Sequence, residues 1–234
     1  MFALSAFAAS NRILKMILIG QFDSPFVRRT AVTMNYYGIP FERKILSVFT
    51  DFEKMLDQNP LGKVPILVLD NGECIFDSRM IIDYVERLVS EKERLIPAEL
   101  DHRCSVLRVE AVALGLAEKS YERGLEYARR QPDKIDENWS ERLKRQITSA
   151  LAWLESQQPD PWLYGDRMTQ ADITCAVAYT YLREKQQIAF SSSDFPTLDE
   201  HSNYCESLQA FKLSAYSALE ATNSGWQPKS SLDV

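Results

Sequence analysis

The chain has 234 residues, 45% of them hydrophobic and 26% charged, with a formal net charge of −6 and four cysteines. That balance suits a globular protein of one large or two small domains with a buried core. It excludes a transmembrane helix, for which about 18 consecutive apolar residues are needed. It also argues against nucleic acid as the main partner, because no block of basic residues is encoded.

Cys74, Cys104, Cys175 and Cys205 are widely spaced and form no C-x-x-C pair, and His102 and His201 are the only histidines. No metal site is expected from them. They read as reduced thiols in a cytoplasm, packed as small hydrophobes. Residues 1–15, "MFALSAFAASNRILK", open on an apolar stretch with no positive charge ahead of it, unlike a secretory signal. They read as an N-terminal extension ahead of a functional beginning at Met16.

In chain order, residues 16–22 read as a buried strand. Residues 25–37 read as a helix stopped at Gly38. "FERKIL" at 41–46 alternates like a strand. Thr50-Asp51-Phe52-Glu53 has the form of a capping box opening a short helix to about Gln58. "VPILVLDNGECIF" at 64–76 places two β-type runs around Asn71-Gly72, the favoured pair of a two-residue type I′ hairpin turn. Ser78 then opens a helix to about Val89, with Met80, Ile81, Tyr84, Val85 and Leu88 on one side.

This β-α-β-α-β-β-α order predicts a small mixed sheet with helices. From 101 to about 219 the period is helical, with Leu143, Ile147, Leu151 and Leu154 along one helix face. The domains expected are therefore the extension 1–15, a mixed α/β domain 16–92, an all-helical domain 98–221 and a tail 222–234. Thr169-Gln170-Ala171-Asp172 is a capping-box pattern, with Met168 and Ile173 placed for a hydrophobic staple. It is assigned to folding. Arg28 and Arg29 are expected on the exposed or inter-domain side of the first helix.

Three places in the α/β domain carry the chemistry: Ser24-Pro25 at a strand-to-helix junction, Lys63-Val64-Pro65 entering the hairpin, and Asp77-Ser78 at the next helix start. With "SPFVRR", "NPLGKVPIL" and "FDSRMIIDYV" at these separations, the chain from about Met16 to Ala221 resembles the glutathione transferases. The likeness is to bacterial cytosolic members with a serine at the first helix. It implies an α/β plus all-α fold: an N-terminal thioredoxin-like βαβαββα domain, then an all-helical domain.

Each position also has a plain local role. Ser24 and Pro25 make a common helix start. In the resemblance, the equivalent serine or cysteine sits beside the sulfur of glutathione. A free thiol near pKa ~8.5 is mostly protonated at neutral pH, and the thiolate is the nucleophile. A hydroxyl donor at the positive end of a helix favours the anion. Lowering the thiol pKa by about two units is worth roughly 2.7 kcal/mol. Cap and catalyst are thus compatible.

Related glutaredoxins and omega-like transferases begin this helix with Cys-Pro-aromatic. Ser24 cannot form the mixed disulfide that such chemistry needs, which ranks conjugation above thiol exchange. The maleylacetoacetate isomerase branch carries a Ser-Ser-Cys start that is absent here. Val64-Pro65 is locally an edge-strand proline. The family has a cis-proline there, leaving the Val64 backbone to pair with glutathione as an added strand would. Lys63, otherwise a solvated lysine, is a candidate for the glycine carboxylate. Asp77, otherwise a cap, can accept from the γ-glutamyl ammonium. Ser78 and the helix behind it can hold the neighbouring carboxylate. Many members carry Glu at the Asp77 position. Tyr121 and Tyr127 are candidate walls of the electrophile pocket, with packing in the bundle as their favoured role.

The expectation is a cytoplasmic, homodimeric glutathione transferase acting on a small hydrophobic electrophile. Glutathione is its co-substrate, and no cofactor, metal, nucleic acid or membrane is involved. Two alternatives stand beside it: a glutathione-dependent disulfide or peroxide reductase, and a non-enzymatic transferase-fold regulatory or binding protein.

Overall fold

The computed structural model describes residues 15–185 and 191–223. Most of the expected N-terminal extension, and the tail from 224 onward, lie outside them. Strand β1, Met16–Ile19, is almost wholly buried, as an apolar strand with neighbours on both edges must be. Strand β2, Phe41–Lys44, pairs parallel to β1, with Met16 opposite Phe41 and Ile19 opposite Lys44. It carries exposed charges on the sheet edge, where they discourage further pairing.

Strands β3, Ile66–Val68, and β4, Cys74–Phe76, are antiparallel to their neighbours and give the order β2-β1-β3-β4. Helix α1, Pro25–Tyr36, joins β1 to β2, α2, Phe52–Leu56, precedes β3, and α3, Ser78–Glu86, follows β4. The predicted βαβαββα order is therefore present. Ile19, Leu46, Met55 and Ile66 form one of its buried clusters.

Three local expectations are corrected. Thr50 does not cap α2. The cap residue is Asp51, whose carboxylate turns back to accept from the Ser47 N–H at 3.1 Å instead of capping the helix. The hairpin loop has three residues, not two. Leu69 pairs with Glu73, Gly72 N–H donates to Leu69 O at 2.8 Å, and of the loop residues Gly72 alone has a positive φ, of 83°. This is a turn closed by a left-handed glycine, and Asn71 instead uses its side chain to accept from the Glu73 N–H. On α3, Met80 is 54% exposed; the buried face is Ile81, Ile82, Val85 and Glu86.

The second unit is helical. Helices α4, Leu100–Arg129, α5, Glu137–Glu155, and α6, Gln170–Lys185, pack together, with α4 against both others. Leu143, Ile147, Leu151 and Leu154 form the buried face of α5, as their spacing predicts. Helix α6 is buried around nearly its whole circumference, the mark of a central helix. The acid's half of the expected capping box is present. Asp172 accepts from Thr169 N–H at 2.7 Å, from Thr169 Oγ1 at 2.8 Å and from Leu163 N–H at 2.7 Å. Tyr127 meets Ser140 Oγ at 2.7 Å, tying α4 to α5.

Helix α7, Pro196–Ser207, completes this unit. Helices α8, Gln209–Lys212, and α9, Ala218–Asn223, do not belong to it. Residues 207–223 pack with the mixed sheet unit, not with the helical one to which sequence alone assigns them. The reason is a set of contacts from α1 described below. Among the described residues, no helix is long and apolar enough to cross a membrane.

Candidate functional site

The site is set by strand register. Ile19, at the end of β1, faces Ile66 at the start of β3, and Ile66 faces Phe76 at the end of β4. The residues just beyond these three strand ends are Gly20, Pro65 and Asp77, so they share one end of the sheet. Gly20 has a φ of 134°, and a methyl added there would meet Val27 at 2.5 Å and Val64 at 3.1 Å. A side chain would therefore push the first turn of α1 away from the Val64-Pro65 segment. The Val64-Pro65 bond is cis. The ladders begin at Ile66, leaving the Val64 backbone outside them.

Ser24 is the N-cap of α1 and Pro25 follows it. The cap contact is loose: Val27 N–H reaches Ser24 Oγ only at 3.5 Å, the long limit of such a bond. The hydroxyl is half-buried, at the positive end of the helix.

Asp77 caps α3 with an unusual φ of 70°, and its carboxylate accepts from Arg79 N–H at 2.8 Å. It stays exposed, with Arg79 the cation beside it at 3.9 Å. Ser78 is buried, and its Oγ accepts from the Arg29 guanidinium at 2.8 Å. Lys63 is exposed; its carbonyl accepts from Asn59 Nδ2 at 2.8 Å, which fixes the backbone leading into Pro65. The structure thus gathers Ser24, Val64-Pro65 and Asp77-Ser78 at one sheet end. The Lys63 side chain makes no contact that ties it to them.

A family model, glutathione S-transferase N-terminal domain, matches residues 18–93, and the corresponding C-terminal domain model matches residues 137–200. An uncharacterised GST-like protein of Escherichia coli K12, YibF, is 34% identical over 170 residues, spanning 71% of this chain and 82% of its own. The chain belongs to the glutathione S-transferase family. Its fold matches a glutathione S-transferase of Methylobacillus flagellatus KT, solved with GSH bound, at a TM-score of 0.78 and 27% identity, over 86% of this chain and 98% of that one. A glutathione S-transferase of Methylobacterium radiotolerans, complexed with glutathione sulfonate, matches at a TM-score of 0.78 and 25% identity, over 86% and 94%.

Sequence reasoning missed the arginines of α1, and with them Arg29 and Asn59 as supports of this sheet end. Arg28 and Arg29, expected on the exposed or inter-domain side of α1, are each only 1% exposed. Arg28 Nε donates to Ser214 O at 2.7 Å, and Arg29 holds Ser78. The buried run Val27 to Met34 leaves α1 no outward face for them, so both heads find fixed acceptors inside. Asn59 is buried, and besides holding Lys63 O it accepts from Leu61 N–H at 3.0 Å. An Asn before Pro-Leu-Gly is a turn signal that could have found it.

Proposed function

We propose that the protein is a glutathione transferase that binds glutathione at this sheet end and activates its thiol for attack on a small hydrophobic electrophile. The observation that carries the reading is the loosely capped Ser24 hydroxyl at the α1 N-terminus, at the sheet end where the Val64 backbone lies outside the strand ladders. A hydroxyl held at 3.5 Å by one N–H can turn toward a sulfur anion with little loss. The helix end adds positive potential, so the thiolate form is favoured at neutral pH.

The rest of the tripeptide follows in the same frame. Val64 offers N–H and C=O to the cysteinyl backbone. Ser78 accepts from Arg29, which leaves its single proton for the γ-glutamyl carboxylate. Asp77 receives the ammonium, and Lys63 reaches the glycine carboxylate. The family membership and the GSH named in the Methylobacillus structure support glutathione as the ligand. A detoxifying role in the cytoplasm, as a homodimer, belongs to the same proposal.

The test is a thiolate absorbance titration of the glutathione complex in the parent and in Ser24→Ala, with an electrophile panel and light scattering on the same preparations. Ser24→Ala should raise the thiol pKa and slow conjugation at pH 6.5, with partial recovery at higher pH. Loss of the cap alone should cost about 1 kcal/mol of stability. Equal pKa values in the two proteins would reduce Ser24 to a cap, and absence of glutathione binding would end the functional reading. Scattering should give twice the 26.8 kDa of one chain; a single-chain mass would remove the dimer.

A further inference from the structure

Helix α9 closes on the turn that carries Ser24. That turn runs from Gln21 to Ser24, with Ser24 N–H donating to Gln21 O at 3.1 Å. Phe22 lies past the end of β1, so no strand partner supports its N–H. The partner is Glu220, which accepts that N–H through Oε2 at 2.6 Å. The Glu220 backbone carbonyl accepts from Gln21 Nε2 at 2.7 Å.

The carboxylate is itself held. Arg43 on β2 donates to both of its oxygens at 3.0 Å, and the same guanidinium lies 3.4 Å over the Phe22 ring. The Glu220 side chain is 14% exposed, and Arg43, at 32%, is the more open partner. One side chain near the end of the described chain therefore holds the backbone two residues before Ser24, and Arg43 locks it from the neighbouring strand.

We propose that Glu220 is a positioning residue for Ser24: its carboxylate fixes the 21–24 turn, and through it the angle at which the Ser24 hydroxyl meets the glutathione sulfur. This rests on the functional reading above. The hydroxyl's aim matters more than its presence, because small misplacements of a reacting group are costly. Glutathione itself is held mainly by Val64, Asp77 and Ser78, so losing Glu220 should injure turnover and not affinity.

The test uses the full chain, Glu220→Ala and Glu220→Gln. Gln keeps an acceptor for Phe22 N–H but loses the ion pair with Arg43. Amide hydrogen exchange on the ligand-free proteins should speed up at residues 20–24 in Glu220→Ala and stay unchanged in α3. In the glutathione complex the thiol pKa should rise, kcat/KM at pH 6.5 should fall by up to roughly 100-fold, and Kd measured at acid pH, where the bound thiol is protonated in both proteins, should hold; Glu220→Gln should fall between. Unchanged exchange overturns the proposal. Faster exchange with an unchanged thiol pKa overturns it too, leaving a structural tie only. If the parent binds no glutathione, the functional reading fails and exchange alone decides whether Glu220 holds the turn. Should Glu220→Ala not fold, Glu220→Gln carries the same readouts.

Discussion

A buried guanidinium and a buried hydroxyl decide how Ser78 can act. Ser78 Oγ accepts from Arg29 at 2.8 Å, and a hydroxyl has only one proton to give. With Arg29 as its donor, the hydroxyl keeps that one proton for another partner. In Arg29→Met, chain length and burial are nearly kept while that donor is lost. Glutathione binding should then weaken by about 1.5–3 kcal/mol, the worth of a charged hydrogen bond, with little change in kcat. Calorimetry gives the first and steady-state rates the second; an unchanged Kd would mean that Ser78 needs no support. The caps at Ser24 and Asp77 were legible in the sequence because each sits at a local boundary that its own residue types announce, whereas the ligand roles proposed for Ser24, Val64-Pro65 and Asp77-Ser78 rest on the family resemblance. Arg29 was not legible, because its partner is 49 residues away and a pair of arginines on a helix ordinarily faces water.

Elements were read well where period or chemistry was local, and less well where a side chain chose a distant partner. The α5 stripe and the acid's half of the Thr169–Asp172 box held, whereas Asp51 left its helix end for Ser47 and took the Thr50 box with it. The end of α3 shows the same preference. Glu86, buried there, accepts from Leu95 N–H at 2.9 Å, from Ile96 N–H at 3.3 Å and from the Tyr37 hydroxyl, so α3 is tied to the segment after it and to the end of α1. Burial pushes the Glu86 carboxyl above its ordinary 4.5, against the pull of those donors and of Arg94, and burial beside Glu86 pushes the Tyr37 phenol up as well. A carboxyl raised on folding keeps a proton that the unfolded chain has released. The folded state then binds more protons just above pH 4.5, so this contribution to stability is present below that pH and is lost as pH rises through the folded value. Relative to Glu86→Gln, the parent should lose stability as pH rises from the acid side toward neutrality. Urea midpoints across that range measure it; a difference growing in the parent's favour would mean that the donors outweigh burial.

At the scale of the whole molecule, the chain returns to the unit it began with. Residues 207–223 join the sheet unit although the helical unit lies between them in sequence. No propensity or period announces such a return, since helix α8 looks like any other short helix of the second half. What draws it back is on α1: Arg28 Nε seeks Ser214 O, Asn35 Nδ2 donates to Ser214 Oγ at 2.7 Å, and Phe211 is fully buried with the Arg28 guanidinium 5.9 Å from its ring. Burying a phenylalanine is worth about 1.5–3 kcal/mol, and the charged hydrogen bond of Arg28 about as much again. Together they are a large part of a domain stability of about 5–15 kcal/mol. A chain ending at Glu206 should therefore lose cooperative unfolding of its sheet unit, or melt well below the parent. A chain ending at Ser217 keeps Phe211 and Ser214 and gives up only α9. It should stay folded, with a small drop in melting temperature, yet show the fast exchange at residues 20–24 expected of Glu220→Ala. Calorimetry on the two truncations separates the roles: α8 completes the core of the sheet unit, and α9 braces the turn that carries Ser24. Equal melting temperatures for the Glu206 chain and the parent would show that the sheet unit stands without its returning segment.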